Sequence, residues 1–328
     1  MIRVCFLLLC CTFFTTASVR AQKVRISADN EAIMRAQQDT LQILAEKIVR
    51  GRDEATRQQA NDSFIPRLVR ALKTPASFYF RFDSLKTISV QYPADSAFRI
   101  FSWGVEQETT FFRHYGAIQM RTEGGELKLF PLFDASDYIN NPDTITSNKN
   151  WYGCLYYKVL HRRYFNKDYY TLFGWDANNI RSQKKMIDML TFKEGEPVFG
   201  GPFFSFAEDT IPKKARNRFI LEYKKEATIS LSYNPEMDMI VYDHLISETN
   251  QPSKPSTFVP DLDYEGFKWK AGKWVHIEKV FHDALPQGKV PVDQPLNQRQ
   301  KRMTNPRTAE EINESIQDSK KPKGKKQK

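Results

Sequence analysis

The sequence predicts a mainly β protein whose body is an antiparallel meander, a sandwich-like pair of sheets or a curved sheet. Side chains alternate between apolar and polar in 87–92 and again in 227–233, the period of a half-buried strand. Turn sequences recur at hairpin spacing between aromatic and β-branched runs. A short N-terminal helical segment precedes this body, and a basic, disordered C-terminal tail follows it.

Residues 1–21 have the order of a secretory signal peptide. Arg3 supplies a positive start, 4–14 are an apolar run, and the small residues of 15–21 form a cleavage site before Gln22. The run is too short to span about 30 Å of hydrocarbon as a helix. We therefore expect export to the periplasm or the outer cell surface, with no transmembrane segment after cleavage.

A helical lead-in occupies 22–75. Apolar residues recur at helical spacing in 27–51, where Asp29 or Asn30 is expected to cap the start and Gly51 the end. A second helical stretch covers 53–73 and stops at Pro75. Neither has an apolar face wide enough to stand alone, so both are expected to pack against a larger body.

The antiparallel β domain covers 76–284. Its hairpin turns are predicted at 93–96, 123–125, 166–168, 194–195, 234–236 and 271–272. Two stretches, 134–150 and 247–263, are polar or rich in proline and are expected to be long loops.

The formal charge of +10 is concentrated in the tail that we place at 285–328. Ten basic and four acidic side chains lie in 299–328, whereas 22–298 carry 37 basic and 35 acidic ones. Such a tail solubilises the chain or is drawn to anionic surfaces. In an exported protein, nucleic acid is not the expected partner.

Catalytic motifs give no assignment. Three of the four cysteines lie in the signal, so the mature chain keeps Cys154, which cannot form an intramolecular disulfide and is expected in the core. Cys154 could form a catalytic Cys/His pair with His114 or His161, but no sequence spacing requires such a pair. The sequence contains no Gly-x-Ser-x-Gly elbow and no glycine-rich loop opening a helix.

Two patterns resemble metal sites, although we expect no metal or other cofactor. His276, Glu278 and His282 share one face of a strand, but the outer two lie about 20 Å apart at strand rise. Asp261, Asp263 and Glu265 mimic the opening of a calcium loop, yet its twelfth position is a glycine. These three acids remain candidates only for a looser calcium site.

Aromatic residues are unusually abundant, with 24 Phe, 14 Tyr and 5 Trp. Most are expected to be core, but exposed tryptophans form platforms for sugar rings. The candidates for ligand binding are Trp103, Trp151, Trp175, Trp269 and Trp274.

Four segments resemble a family of exported Bacteroidetes proteins that has no assigned activity. They are WYGCLYYKVLHRRYFNKDYYTLFGWDANN (151–179), KKMIDMLTFKEGEPVFGGPFF (184–204), ATISLSYNPEMDMIVYDHL (227–245) and PDLDYEGFKWKAGKWVHI (260–277). The resemblance covers about 80–280. It implies export and one shared fold, and it implies no catalytic residue.

Three functional hypotheses follow. The first is a non-enzymatic binding or structural component of the cell envelope, whose partner is an envelope component or a glycan. The second is an envelope-polymer hydrolase that uses scattered carboxylates such as Asp176 and Asp243. The third is a carbohydrate-binding module that uses exposed tryptophans.

The signal-peptide assignment predicts that a bacterial host secretes a product beginning at Gln22. Leu8→Arg places a charge in the apolar run and should retain the full-length chain in the cytosol, whereas the control Leu8→Ile should be processed normally. Fractionation and intact mass measure both outcomes. Cytosolic wild-type product with its first residues attached contradicts the assignment.

Overall fold

The computed structural model describes residues 24–107 and 111–281. The fold class is confirmed, since 44% of the described residues are strand and 21% helix, with antiparallel sheets. Two compact units are present in the described residues: the first holds 24–107, 111–136 and 148–161, and the second holds 137–147 and 162–281. The predicted signal at 1–21 and the predicted tail at 285–328 lie outside the described residues.

Two helices open the first unit, α1 (Ala28–Arg50) and α2 (Glu54–Leu72). Ser27 caps α1, because its hydroxyl accepts a hydrogen bond from the backbone N–H of Asn30 at 3.2 Å. This corrects the sequence-based choice of Asp29 or Asn30. Asp53 caps α2 in the same way, since its carboxylate accepts from the N–H of Thr56 at 2.7 Å.

A four-stranded antiparallel sheet completes the core of the first unit. Its strands are β1 (Ser89–Gln91), β2 (Phe98–Glu106), β3 (Phe112–Met120) and β4 (Lys128–Phe133), in that spatial order. Phe64 of α2 and Trp103 of β2 contact edge to face at 5.2 Å, so the helices cover this sheet. The amphipathic helices thus bury their apolar faces against a sheet of the same unit.

Arg99 of β2 is fully buried in the first unit, and among the described residues its hydrogen bonds go to neutral acceptors. Its guanidinium donates to Gln119 Oε1 (2.8 Å), the carbonyl of Phe80 (2.6 Å), Tyr92 Oη (3.0 Å) and the carbonyl of Ser77 (3.0 Å). The rings of Phe82 and Phe101 lie 4.9 and 5.0 Å away. Burial lowers the pKa of Arg99, and these contacts tie 77–82 to the sheet.

The remaining strands belong mainly to the second unit, and the chain passes into it within β6. They are β5 (Thr146–Ser147), β6 (Leu155–Tyr164), β7 (Lys167–Asp176), β8 (Ser182–Lys193), β9 (Glu196–Phe199), β10 (Phe204–Phe206), β11 (Lys213–Arg216), β12 (Arg218–Lys224), β13 (Leu231–Asn234), β14 (Met239–Ser247), β15 (Phe258–Lys270) and β16 (Lys273–Ile277).

Two sheets build the second unit. One has the order β5-β9-β8-β7, continues with the end of β6 and adds β12 beside β8. The other has the order β11-β10-β16-β15-β14-β13 and is antiparallel except for the pair β10–β16, which is parallel. The predicted hairpin turns join consecutive strands, as at Glu194–Gly195 between β8 and β9.

Both predicted long loops are irregular over much of their length, but the structure corrects the end of the second one. Residues 258–263 belong to β15, although the sequence around Pro260 is typical of a loop. That part of β15 pairs with β14, whereas β16 pairs with 266–270, so the missing N–H of Pro260 is tolerated at an edge. The stretch 134–150 contains β5 and two short 3-10 turns. The strand predicted at 227–233 begins at Leu231.

A buried ion pair holds 142–146 within the second unit. Arg218 Nη2 lies 2.7 Å from Asp188 Oδ2, and both side chains are inaccessible to solvent. The guanidinium also donates to the carbonyl of Pro142 and to Thr146 Oγ1, at 3.3 Å for the latter. The segment 142–146, which is typical of a loop, thus supplies hydrogen-bond acceptors for the buried Arg218.

The carboxylate of Asp134 connects β3 to residues 134–136 of the first unit. It accepts hydrogen bonds from the N–H of His114 (2.8 Å), the N–H of Ser136 (3.0 Å) and the hydroxyl of Ser136 (2.6 Å). Burial raises the pKa of Asp134, but the interactions with His114 and Ser136 outweigh it, so the pKa falls to about 2.

The lowered pKa of Asp134 predicts a pH-dependent stability. The contribution of its carboxylate is present above the ordinary pKa of 3.8 and is lost as the pH falls through about 2. Asp134→Asn should therefore lower the free energy of unfolding by about 2 kcal/mol at pH 7, and the deficit should shrink as the pH falls below 4. Urea unfolding measures this difference.

The matched control is Asp137→Asn, since Asp137 is exposed in the neighbouring 3-10 turn. It should change the free energy of unfolding by less than about 0.5 kcal/mol. A deficit for Asp134→Asn that is independent of pH would contradict the assignment.

Candidate functional site

Aromatic side chains gather where two hairpins of the second unit turn. The aromatic surface consists of Tyr164, Phe165, Tyr169, Phe203 and Trp269. Ring centroids lie 4.4 Å apart for Tyr164–Phe165, 5.5 Å for Tyr169–Phe203 and 5.8 Å for Tyr169–Trp269. Phe165 is 82% exposed, and the other four side chains are partly exposed.

The turn sequences explain why these rings meet. Phe165 and Asn166 have φ values of 44° and 57° between β6 and β7, and Ala271 and Gly272 have 48° and 78° between β15 and β16. Two successive positive φ values are typical of the two-residue turn that matches strand twist. Asparagine and glycine favour this backbone, whereas phenylalanine is strained in it by about 1 kcal/mol or more.

The two turns are in contact. A Cβ atom on Gly272 would lie 2.6 Å from Cδ1 of Tyr164, so the ring of Tyr164 occupies the space that a side chain at 272 would need. Glycine at this position therefore allows the β15–β16 turn to pack against the β6–β7 turn.

Three exposed lysines flank these turns, Lys167, Lys270 and Lys273. The ammonium group of Lys270 binds Glu208 Oε2 at 2.7 Å. Aromatic faces beside ammonium groups combine stacking with hydrogen-bond donation to anionic or hydroxylated ligands.

Trp274 supports the aromatic surface from below. Its indole is fully buried, its N–H donates to Thr171 Oγ1 at 2.9 Å, and its ring lies 5.1 Å from that of Trp269. The guanidinium of Arg162 lies 5.8 Å from the same ring. Trp269 therefore packs on a buried side chain that is itself fixed by a hydrogen bond.

The five tryptophans selected from the sequence do not converge. Trp103 donates to Asn61 Oδ1 and Trp151 to Tyr156 Oη, each at 2.8 Å, and both are buried, as is Trp274. Burial closes these three rings to a sugar. Trp175 is partly exposed but donates to Gln183 Oε1 at 2.9 Å and lies outside the aromatic surface. Among the five, Trp269 alone belongs to it.

Four residues of the aromatic surface were missed by the sequence analysis, which considered tryptophans alone. They are Tyr164, Phe165, Tyr169 and Phe203. A signal was present in the order Tyr-Phe-Asn-Lys at 164–167, because a phenylalanine beside a turn asparagine cannot be buried at a hairpin tip. No local sequence feature marks Phe203 as part of this surface. It is placed there by a tertiary contact, in which its carbonyl accepts a hydrogen bond from the N–H of Trp274.

The acidic candidates for calcium all lie in β15. Asp261 Oδ2 is 2.9 Å from His244 Nδ1, Asp263 Oδ1 is 3.7 Å from Lys279 Nζ, and Glu265 Oε2 accepts from the hydroxyl of Tyr242 at 2.9 Å. A calcium loop wraps its ligands around one ion, whereas alternate residues of a strand lie about 7 Å apart. Leu262 interrupts the extended backbone with a φ of 73°, but the carboxylate oxygens of the three acids still do not all lie within 4.8 Å of one another.

The other candidates are placed as follows. His276 is buried with Nδ1 2.8 Å from Asp209 Oδ1, Glu278 accepts from Thr210, and His282 lies outside the described residues. Cys154 is buried and therefore closed to a substrate. Asp176 accepts from the N–H of Asn178 and Asp243 from that of Ser230, so both carboxylates brace backbone segments.

Comparison of the sequence with protein-family models, with curated proteins and with solved structures finds no significant match. Among the described residues, neither helix is apolar enough over sufficient length to cross a membrane. The interpretation of the aromatic surface therefore depends on the chemistry of this chain's own residues.

The contact between the turns predicts the effect of Gly272→Ala. The new Cβ atom displaces the ring of Tyr164, and a positive φ of 78° disfavours any side chain, so the free energy of unfolding should fall by about 2 kcal/mol or more. Gly195→Ala is the control, because Gly195 has a φ of 83° in the β8–β9 turn and incurs only the backbone cost. Equal losses of stability in the two variants would show that no contact with Tyr164 exists.

Proposed function

We propose that this chain is an exported, non-enzymatic protein of the cell envelope that binds an envelope glycan through the aromatic surface. The observation that carries the proposal is a pair of ring clusters at or beside the two hairpin turns, Tyr164–Phe165 and Phe203–Tyr169–Trp269. This combines the envelope-component and carbohydrate-binding hypotheses and moves the binding residues from the tryptophan set to Trp269 and its neighbours.

Stacking explains why such a surface suits a sugar. One face of a pyranose ring presents C–H groups, and burial of about 50 Å² of apolar surface stabilises a complex by about 1 kcal/mol. Two or three stacked sugars contribute about 2–3 kcal/mol before the cost of association, so a single contact of this kind is weak. Repeated contacts along a polymer raise this affinity.

The flanking lysines favour an acidic glycan. Lys167 and Lys273 are exposed beside the turns and carry positive charge toward any ligand lying on the rings. Carboxylate or phosphate groups on the sugar accept hydrogen bonds from these ammonium groups. Because such exposed pairs are screened, retention of an acidic glycan should weaken as salt is raised.

The proposal predicts that Trp269→Ala reduces glycan retention at least about tenfold, because one stacking face worth about 1.4 kcal/mol or more is lost. Phe165→Ser should also reduce retention while leaving the fold intact, since Phe165 is 82% exposed. Retention of the mature chain on peptidoglycan sacculi, lipopolysaccharide and polygalacturonate measures the effect.

The matched control is Trp175→Ala, because Trp175 is a partly exposed tryptophan of the same unit outside the aromatic surface. It should leave retention within about twofold, a change of about 0.4 kcal/mol. Equal losses for Trp175→Ala and Trp269→Ala, or no retention of the wild-type chain on any of the three glycans, would overturn the proposal.

A further inference from the structure

We propose that protonated His276 is a pH-dependent latch that holds residues 207–216 on the sheet, and that loss of its proton releases this segment. The segment comprises the turn after β10 and the strand β11. The latch consists of His276, Asp209, Tyr242 and Glu265, all in the second unit. It shares no residue with the aromatic surface and does not depend on glycan binding.

The segment 207–216 is fastened at one buried point. The side chains of Asp209 and His276 are 0% and 4% exposed, and Asp209 Oδ1 lies 2.8 Å from His276 Nδ1. The neighbouring contacts, made by Glu208 and Thr210, are exposed to solvent and therefore weak. Strand β11 is at the edge of its sheet, pairs with β10 and has four exposed residues. The contact of Asp209 is therefore the main attachment of the turn.

The hydrogen bonds around His276 require two protons on its ring. A carboxylate only accepts, so Asp209 Oδ1 needs a proton on Nδ1. The hydroxyl of Tyr242 lies 2.8 Å from His276 Nε2 and 2.9 Å from Glu265 Oε2, and it has a single proton to donate. Because Tyr242 donates to the carboxylate of Glu265, it must accept from Nε2, which then carries the second proton. This chain of donors and acceptors is the observation on which the inference depends.

Loss of one proton breaks the chain. Nε2 of the neutral ring presents a lone pair to the hydroxyl of Tyr242 and to Glu265 Oε2, which lies 3.4 Å away. Tyr242 then either turns its proton to Nε2 and leaves Glu265, or stays with Glu265 and leaves Nε2 without a donor. Each arrangement leaves a polar atom unsatisfied in a buried place, which destabilises the closed state.

Loss of the proton also removes the positive charge beside Asp209. Among the described residues, Asp209 Oδ2 has no hydrogen-bond partner, and its nearest cation is Lys213, with Nζ at 3.7 Å and a side chain that is 57% exposed. A buried carboxylate beside a neutral imidazole is destabilised unless it reaches water. Because Asp209 lies in the turn after β10, its move to water opens 207–216 without unfolding the sheet.

The surroundings of the ring favour the protonated form. Aromatic rings of Phe206 and Phe267 lie 4.9 and 5.3 Å from the imidazole and exclude water. Acidic groups face the ring from the turn, from β15 and from the residues after β16, whereas cations on β11 and β14 interact with its partners. The acids are Asp209, Glu265 and Glu278, and the cations or titratable bases are Lys213, Arg216 and His244.

The titration of His276 sets the sign of the effect. Burial lowers its pKa, but the hydrogen bonds and charges of Glu265 and Asp209 outweigh burial and raise the pKa above the ordinary 6.5. The stabilisation is therefore fully present below pH 6.5 and is lost as the pH rises through the raised value. Burial raises the pKa of Glu265, but hydrogen bonds from His276 and Tyr242 outweigh it, so its contribution is present above 4.5 and is lost in acid.

The test measures hydrogen–deuterium exchange of the mature chain from about pH 6 to about pH 9.5, with each rate corrected for the intrinsic exchange at that pH. We expect protection of 207–216 to fall at least about tenfold as the pH rises through the pKa of His276, while β7 and β8 keep their protection. Constant protection of 207–216 over this range, or an equal loss in β7 and β8, would overturn the inference.

Glu265→Gln removes one of the two carboxylates at the ring and should lower the pH midpoint of the release by about one unit. Glu208→Gln is the matched control, because Glu208 precedes Asp209 but is 56% exposed and binds Lys270. It should leave the midpoint within about 0.3 units. Equal shifts in the two variants contradict the latch. Titration of the wild-type imidazoles by NMR is independent of the stability of any variant, and a pKa of His276 at or below 6.5 would also overturn it.

Discussion

The buried indole of Trp274 is the contact on which the aromatic surface of the second unit depends. It lies on β16, and its N–H donates to Thr171 of β7, so one side chain joins the two sheets of this unit. Burial of such a ring stabilises the fold by about 2–3 kcal/mol, and its loss leaves a cavity beneath Trp269. The positions of both hairpin turns therefore depend on this packing.

The strands β15 and β16 carry aromatic and ionisable side chains on the same face. Trp269 and Trp274 contact each other near the turn, Glu265 and His276 lie further along, and Phe267 separates the two pairs, with its ring 5.3 Å from that of His276. The apolar part excludes water from the polar part, which strengthens each hydrogen bond there. A single pair of strands thus presents rings at its turn and ionisable groups in its middle.

Local sequence patterns predicted which helices and turns form better than they predicted where the strands begin and end. Helices α1 and α2 and the hairpin turns follow from spacing and turn residues, which act within a few residues of chain. The prediction failed at 258–263, where proline and polar residues are typical of a loop but pairing with β14 makes a strand. Backbone pairing with a distant partner outweighs a local preference that is worth only about 1 kcal/mol.

By itself, the sequence determined the fold class, the helical start of the described chain and the turns, because alternation and turn chemistry are encoded by neighbouring residues. Only the tertiary structure decided that Trp103, Trp151 and Trp274 are covered while Trp269 remains partly exposed. It also decided that His244 and His276 each lie within 4 Å of the carboxylate of Glu265. Both depend on strand register, which brings together side chains that are more than ten residues apart and is set by the whole packed sheet.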